Sequence, residues 1–408
     1  MMMIRDIHRT IFSAVALLLL NFAGFAQNIK TGVLVIGASP SGLAAAIQAA
    51  HSGAKAVLLD KGNFESVDLP ASEAEMRSGV YAAFIRRVEG AQRYPVTKNQ
   101  TFTPSFAATI FKAWTDTVKN LQVVTKATIT SIKKNGKGWE AVLSDRRGLK
   151  ADVIIDATTD GYISRLIPVS KTPAGSVDTI PYQSKKYRTG IGLIPPGKFV
   201  PATLPVSELL SGTENFIVTG GSIIPPSMST GQAAGAVGAY CSFFKTTTGK
   251  LNVRTIQSEL INFGSHLLAF DDIDRRDSNL TAIQSIGLTG ILKGKKVDGK
   301  FLFRPDSSVS SHEIMAPVKE YYLRSQIWFP DNIKEKLTVD DVLSLIKCVA
   351  SRGKELNKEV EKAWTPGLKL PGKFDLKRTV TRREFAVLFN SYVKPFIVAV
   401  DLDGALKR

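Results

Sequence analysis

The fold is decided by the stretch Thr31-Gly-Val-Leu-Val-Ile-Gly37-Ala-Ser-Pro-Ser-Gly42-Leu-Ala-Ala-Ala46. Its aliphatic run, residues 33–36, is typical of a strand buried on both faces. A turn of small residues leads into an Ala-rich helix over residues 43–51, and residues 56–59 form a second apolar strand that ends at Asp60. The sequence therefore predicts a βαβ unit, the opening element of a Rossmann-like α/β domain.

The turn of this unit has the chemistry of a dinucleotide site. Gly37 permits a tight turn, Gly42 permits close packing of helix and strand, and the helix N-terminus offers free N–H groups to a pyrophosphate. Asp60 follows Gly37 by 23 positions, close to the spacing of a carboxylate that binds a ribose hydroxyl. Ser39 replaces the middle glycine of the fingerprint, which weakens the match. The pattern favours a nucleotide site, and the alternative is a packed crossover without ligand.

Two later segments bear on the kind of dinucleotide. Residues 122–161 contain short strands around an Asn135-Gly136 turn, a small β-meander, followed by a buried strand that runs into Asp156. Further on, Gly220-Gly221 precedes a small-residue helix that begins around Gly231-Gln232. The N-terminus of such a helix can stabilise negative charge on the pyrimidine end of a reduced flavin.

In this order the three motifs resemble the FAD-dependent oxidoreductases of the glutathione-reductase-like fold, over about residues 32–265. Within them, the chain is most similar to the exported bacterial group often labelled xanthan-lyase-like. The resemblance implies that FAD is the cofactor and that it accepts a hydride from an organic, small-molecule substrate. The resemblance does not identify a catalytic side chain. By position, the resemblance implies these cofactor-binding residues: Gly37, Ala38, Ser39, Pro40, Ser41, Gly42, Asp60, Lys61, Val124, Ala157, Thr158, Asp160, Gly161, Gly220, Gly221, Gly231 and Gln232.

Two departures from that family leave a second hypothesis open. The Gly-Gly loop after the second strand is replaced by residues 61–70, which contain a single glycine, and Asp160 stands where a glycine is usual. The alternative is therefore a catalytically reduced flavin-fold protein that serves as a surface-binding or anchoring module. NAD is disfavoured, because the Gly231-Gln232 helix has no role in a simple NAD domain.

The last third of the chain is predicted to be mainly α-helical. Residues 303–313 and 380–384 resemble S-layer-homology repeats, and this resemblance implies cell-wall polysaccharide as a partner. In each copy Ser310 or Thr381 is followed three residues later by a glutamate, the pattern of a capping box. The alternative is a degenerate helical module that packs on the FAD domain.

The first 26 residues read as a signal peptide. Arg5 and Arg9 precede an apolar run over residues 11–25, and Gly24 and Ala26 place small residues at a cleavage site. We therefore expect export to the periplasm, the cell surface or the medium, with no transmembrane span after cleavage. The expected units are a signal peptide (1–26), an FAD-binding oxidoreductase domain (27–268) and a helical repeat module (269–408).

The composition adds limits on partners. The net charge is +17, but the basic residues are spread along the chain without any nucleic-acid-binding module, so no nucleic-acid partner is predicted. The four histidines are scattered, and Cys241 and Cys348 are predicted as structural thiols, so no metal site is expected.

Overall fold

The computed structural model describes residues 28–64, 67–69, 74, 76–97, 100–167, 169, 182–194, 202–219 and 227–407. The strands are β1 (Ile29–Ile36), β2 (Ala56–Leu59), β3 (Leu121–Val124), β4 (Ile129–Asn135), β5 (Gly138–Leu143), β6 (Gly148–Asp156), β7 (Gly190–Ile194), β8 (Ala202–Pro205), β9 (Phe216–Val218), β10 (Lys295–Val297) and β11 (Lys300–Leu302). The α-helices are α1 (Pro40–His51), α2 (Gly79–Gln92), α3 (Pro104–Thr115), α4 (Tyr162–Leu166), α5 (Met228–Phe243), α6 (Val253–Asn262), α7 (Leu280–Thr289), α8 (Ser311–Tyr321), α9 (Ser325–Trp328), α10 (Val339–Ala350), α11 (Glu355–Ala363) and α12 (Arg382–Tyr392). Short 3₁₀ helices cover Lys185–Thr189, Val206–Leu209, Phe329–Asp331 and Pro395–Ile397.

A seven-stranded sheet organises the first half of the chain. Its order is β3-β2-β1-β6-β5-β4, with β9 paired to β6, and β1, β2, β3, β6 and β9 run parallel. Strand β6 changes partner along its length, because residues 148–151 pair with β5 and residues 154–156 with β9. The prediction of an α/β, Rossmann-like domain is confirmed, and the carboxyl ends of its parallel strands share one edge.

Helices α1 and α5 cover one face of this sheet and lie unusually close to each other. A Cβ built on Gly231 would lie 1.9 Å from the Ser41 carbonyl oxygen, and one on Gly235 would lie 2.3 Å from that of Ala45. Only glycine therefore permits this crossing distance. The small residues that the sequence places in both helices are there because the two backbones nearly touch.

The antiparallel strands β4, β5 and β6 form the meander expected from the Asn135-Gly136 turn, where Gly136 has a φ of +57°. A second apolar cluster fills the other face of the sheet. Within it, the Trp139 and Phe216 ring centroids lie 6.1 Å apart, and the Trp139 indole N–H donates to the Asn215 carbonyl at 2.9 Å. This face therefore connects the meander to β9, which comes much later in the chain.

The C-terminal part is mainly helical and shares one continuous core with the first domain. The buried Arg188 guanidinium makes a bidentate ion pair with Glu320 of α8, at 2.9 and 2.6 Å. The 3₁₀ helix that carries Arg188 directly precedes β7. The two parts of the chain are therefore packed and ion-paired together.

One of the two predicted capping boxes forms completely. Thr381 accepts from the backbone N–H of Glu384 at 3.2 Å, and Glu384 accepts from that of Thr381 at 2.9 Å. At Ser310 only the first half forms, so the prediction of a full box there is wrong. The reason is that the Glu313 carboxylate instead pairs with Arg382, the first residue of α12. The two repeat-like motifs thus contact each other.

Candidate cofactor site

The turn between β1 and α1 has the geometry that the glycine pattern predicts. Gly37 has a φ of +101°, and a Cβ there would lie 2.8 Å from the Ala157 carbonyl oxygen. A Cβ on Gly42 would lie 1.9 Å from the Gly37 carbonyl oxygen. Both glycines are therefore required by close backbone approach, one within the turn and one where the helix crosses it.

Ser39, the substitute for the middle glycine, turns its side chain into the protein. Its hydroxyl donates to the Ala157 carbonyl at 2.7 Å and accepts from the Gly42 N–H at 3.2 Å, and only 2% of the residue is exposed. Pro40 and Ser41 after it are also buried. The serine links the turn to the end of β6, but it also takes one N–H group that the helix N-terminus otherwise offers to a phosphate.

A cavity of about 300 Å³ lies at the carboxyl ends of β1, β2 and β6. This volume is at the lower end of the range for small-molecule sites, about 300–1,000 Å³, and suits the adenosine half of a dinucleotide. Of the predicted residues, it is lined by Gly37, Asp60, Lys61, Ala157, Thr158 and Asp160. The remaining lining residues are Ile36, Leu59, Ala127, Thr128, Ile129, Thr159, Tyr162 and Ile163.

Asp60 lies beside this cavity at the end of β2, where the βαβ pattern predicts a ribose-binding carboxylate. It is 2% exposed, and its Oδ2 accepts from the Phe64 N–H at 2.8 Å, which fixes the carboxylate's direction. Val124 does not line the cavity, since its carbonyl accepts from the Asp60 N–H at 2.9 Å within the sheet. The wall expected from Val124 is formed by residues 127–129, which the sequence analysis missed.

The segment after β6 is held by Asp156. Its buried carboxylate accepts from the N–H and hydroxyl of Thr158 at 3.1 and 2.6 Å, and from those of Ser164 at 2.8 and 2.5 Å. These bonds fix the loop that lines one side of the cavity. Gly161 is the N-cap of α4, with a φ of +62°, and is not among the residues that line the cavity.

The predicted flavin-end residues lie in a different environment. Gln232 is 3% exposed, its Oε1 accepts from the Val80 N–H at 3.0 Å, and its Nε2 donates to Gln48 at 2.7 Å. Gly231 packs against α1 as described, and Gly220 and Gly221 lie outside the described residues. Gly231 and Gln232 therefore join α1, α2 and α5, and neither lines the 300 Å³ cavity.

A second, larger cavity of about 1,470 Å³ lies between α2, β7 and residues 262–280. His266 lines it, and burial, aided by the charge of Arg275, lowers the pKa of its imidazole to about 4. The imidazole is therefore neutral at pH 7. Arg77, also in the lining, pairs with Glu89 at 3.1 Å. The sequence analysis missed this cavity because its walls come from distant parts of the chain.

The described part of the chain holds no group of three or more His, Cys, Asp or Glu side chains arranged for a metal ion. Both cysteines are free, and burial raises the pKa of the Cys241 thiol to about 12. No helix among the described residues combines the length and the apolar character that a membrane crossing requires.

Residues 32–172 match the sequence profile of a protein family described as FAD dependent oxidoreductase. None of the curated proteins matches the chain. Similar solved structures include p-nitrophenol 4-monooxygenase from Pseudomonas putida, with 16% identity over 35% of this chain and 43% of that chain, and a TM-score of 0.27. Thioredoxin reductase from T. acidophilum has 24% identity over 31% and 34%, with a TM-score of 0.22. Bacillithiol disulfide reductase from Bacillus cereus has 21% identity over 32% and 40%, with a TM-score of 0.23. The aligned region spans less than half the length of each of these three proteins.

Proposed function

We propose that this chain, whose residues 32–172 match the FAD-dependent oxidoreductases, is an exported enzyme that oxidises a hydroxyl-bearing organic substrate. The match confirms the predictions of FAD as cofactor and of an FAD-dependent oxidoreductase at the level of this family. The observation that carries the proposal is the cavity at the carboxyl edge of the sheet, which has Gly37 and Asp60 in its lining.

The residues around this cavity fit the adenosine half of FAD. Gly37 keeps the approach to the turn free of side chains, and the Asp60 carboxylate stands at the end of β2, where a ribose hydroxyl can donate to it. Asp156 holds the opposite wall rigid through four hydrogen bonds. FAD bound here would supply a hydride acceptor, so the protein's own part would be to bind and orient cofactor and substrate.

The larger cavity supports the substrate part of the proposal. Its lining includes Leu193, whose backbone N–H donates to the Ser229 hydroxyl at the start of α5 at 2.9 Å. His266 offers a neutral imidazole there, a side chain that can accept a hydrogen bond, or a proton, from a substrate hydroxyl. Residues 269–276 and 280 contribute one wall, so the C-terminal part takes part in the site.

Export is the localisation that we propose, supported by the signal-peptide pattern of residues 1–26. A second candidate function is that of a surface-held flavin-fold protein with little turnover, anchored to cell-wall polysaccharide. Two features favour it: the S-layer-like motifs, and Ser39, whose hydroxyl takes the Gly42 N–H. In both cases the protein would lie outside the cytoplasm or in the envelope.

The test uses purified protein containing residues 27–408 and begins with its visible spectrum. We expect a yellow protein that releases FAD on denaturation. Replacement of the expected ribose-binding carboxylate, Asp60→Ala, should raise the dissociation constant for FAD at least tenfold, because a hydrogen bond to a charged group is worth about 1.5–3 kcal/mol. Asp116→Ala, at an exposed helix end, is the matched control and should retain the cofactor. A colourless protein that takes up no added FAD but sediments with cell-wall material would favour the anchor.

A further inference from the structure

The sheet edge opposite the cofactor cavity is strongly basic. The parallel strands β1, β2, β3 and β6 all begin on this amino side of the sheet. Strands β1 and β6 start together, and β2 and β3 start level with Val33, four residues further along β1. Five acidic residues lie close to it: Asp116, Glu140, Asp145, Asp152 and Glu214. Six exposed lysines lie at or next to the strand starts and the end of α5: Lys30, Lys55, Lys119, Lys150, Lys245 and Lys250.

Two exposed phenylalanines end α5 at the same edge. Phe243 and Phe244 are 68% and 54% exposed, and their ring centroids lie 5.0 Å apart. Ser242 fixes their place, since a Cβ built on Gly32 of β1 would lie 2.2 Å from its hydroxyl oxygen. We call the two phenylalanines and the six lysines the amino-edge patch.

The chain enters the fold beside this patch. Strand β1 begins at Ile29, only a few residues after the apolar run of residues 11–25. The cavity with Asp60 lies at the far end of the same strands.

We propose that the amino-edge patch docks on the surface of an anionic phospholipid bilayer. Aromatic side chains favour the membrane–water interface, and clustered lysines are attracted to anionic headgroups. The patch combines both at one edge. Lys150 pairs with Glu140 at 2.7 Å and Lys245 with Asp152 at 3.0 Å, so the attraction to headgroups rests on the other four lysines, Lys30, Lys55, Lys119 and Lys250. Docking in this way leaves the cofactor edge facing solution.

The test measures co-sedimentation of the protein with vesicles of phosphatidylcholine, alone and mixed with phosphatidylglycerol. A protein of residues 27–408 is used, since it contains every residue that the structure describes. We expect binding to the mixed vesicles that weakens as salt is added. The double variant Phe243→Ser/Phe244→Ser should bind the mixed vesicles at least about tenfold more weakly, because the two rings that would leave water on binding are no longer present.

The matched control is Leu323→Ser/Ile327→Ser, which removes a pair of equally exposed apolar side chains from the C-terminal part. It should leave vesicle binding unchanged, and both double variants should keep the thermal midpoint of the parent. As a second readout, the emission of Phe243→Trp should shift to the blue on mixed vesicles. The proposal is overturned by absence of binding or by an equal loss in the control. It is also overturned if the parent is a dimer that only Phe243→Ser/Phe244→Ser dissociates, because a second copy would then cover the patch.

Discussion

The contact between α1 and the turn that precedes it allows a quantitative test with the variant Gly42→Ala. The added methyl would lie 1.9 Å from the Gly37 carbonyl oxygen and 3.0 Å from the Ala157 Cβ. Ordinary contact needs about 3.4 Å, so the backbone of the turn or of α1 has to move by roughly 1.5 Å. The movement would occur at the pyrophosphate end of the site.

The expected free energy follows from two opposing effects. Overpacking typically costs about 1–3 kcal/mol, and a clash with a backbone carbonyl should lie at the upper end. Alanine is favoured over glycine in a helix by about 1 kcal/mol, which offsets part of this cost. We therefore expect Gly42→Ala to lower the free energy of unfolding by about 2 kcal/mol. The control Gly90→Ala, in an exposed turn of α2 with no atom within 4 Å of the new Cβ, should raise it by about 0.5–1 kcal/mol.

The assay is urea unfolding of the parent and the two variants. In a second measurement, the folded proteins are titrated with FAD in the absence of urea. Gly42→Ala should lose FAD affinity by at least tenfold, whereas Gly90→Ala should bind FAD like the parent. The reasoning is refuted if Gly42→Ala is as stable as Gly90→Ala and binds FAD equally well. That result would mean that the turn and the helix adjust without displacing the site.

Three further predictions concern single side chains. Ser39→Gly should lower the free energy of unfolding by about 1–2 kcal/mol. A few tenths come from the helix cap, and the rest comes from the lost hydrogen bond to the Ala157 carbonyl. The same variant should tighten FAD binding in titrations, because it frees an N–H group at the start of α1. Arg188→Met should lower the free energy of unfolding in urea by about 2–3 kcal/mol. This loss is smaller than that for a fully buried ion pair, because Glu320 is one-third exposed. The control Lys185→Gln, on the exposed side of the Glu320 carboxylate, should change the free energy of unfolding by less than about 1 kcal/mol. Burial lowers the pKa of His266 to about 4 in the folded protein, against an ordinary value of 6.5 in the unfolded chain. Between these two pH values the unfolded chain binds more protons, so the free energy of unfolding falls as the pH drops from 6.5 to 4. His266→Gln should remove up to about 3 kcal/mol of this pH dependence from unfolding curves, and an unchanged dependence would contradict the burial of the imidazole.

The parts of the fold that the sequence predicts are those encoded locally. The βαβ unit and the meander depend on strand, turn and helix signals within a few residues of each other, and both form as expected. The roles of Gly37 and Gly42 were also predictable, because backbone conformation and close approach leave glycine as the only choice. Asp60 lies beside the cavity for the same reason, since the end of a parallel strand fixes its position.

The features that the sequence did not predict depend on contacts between distant segments. The direction of the Ser39 side chain is decided by a carbonyl 118 positions later, and Gln232 is drawn into hydrogen bonds with α1 and α2. The pair Glu313–Arg382 replaces half of a capping box for the same reason. No periodicity or spacing within one segment carries such information, because the partner becomes a neighbour only when the chain has folded.

The divided pairing of β6 has a consequence during protein synthesis. Strand β9 begins 60 residues after β6 ends, so the second half of β6 has no partner on that side while those residues are being made. At about 5–20 residues per second, the wait lasts roughly 3–12 seconds. An open apolar strand edge readily captures other chains, so this half of β6 is open to mispairing until β9 is available to cover it.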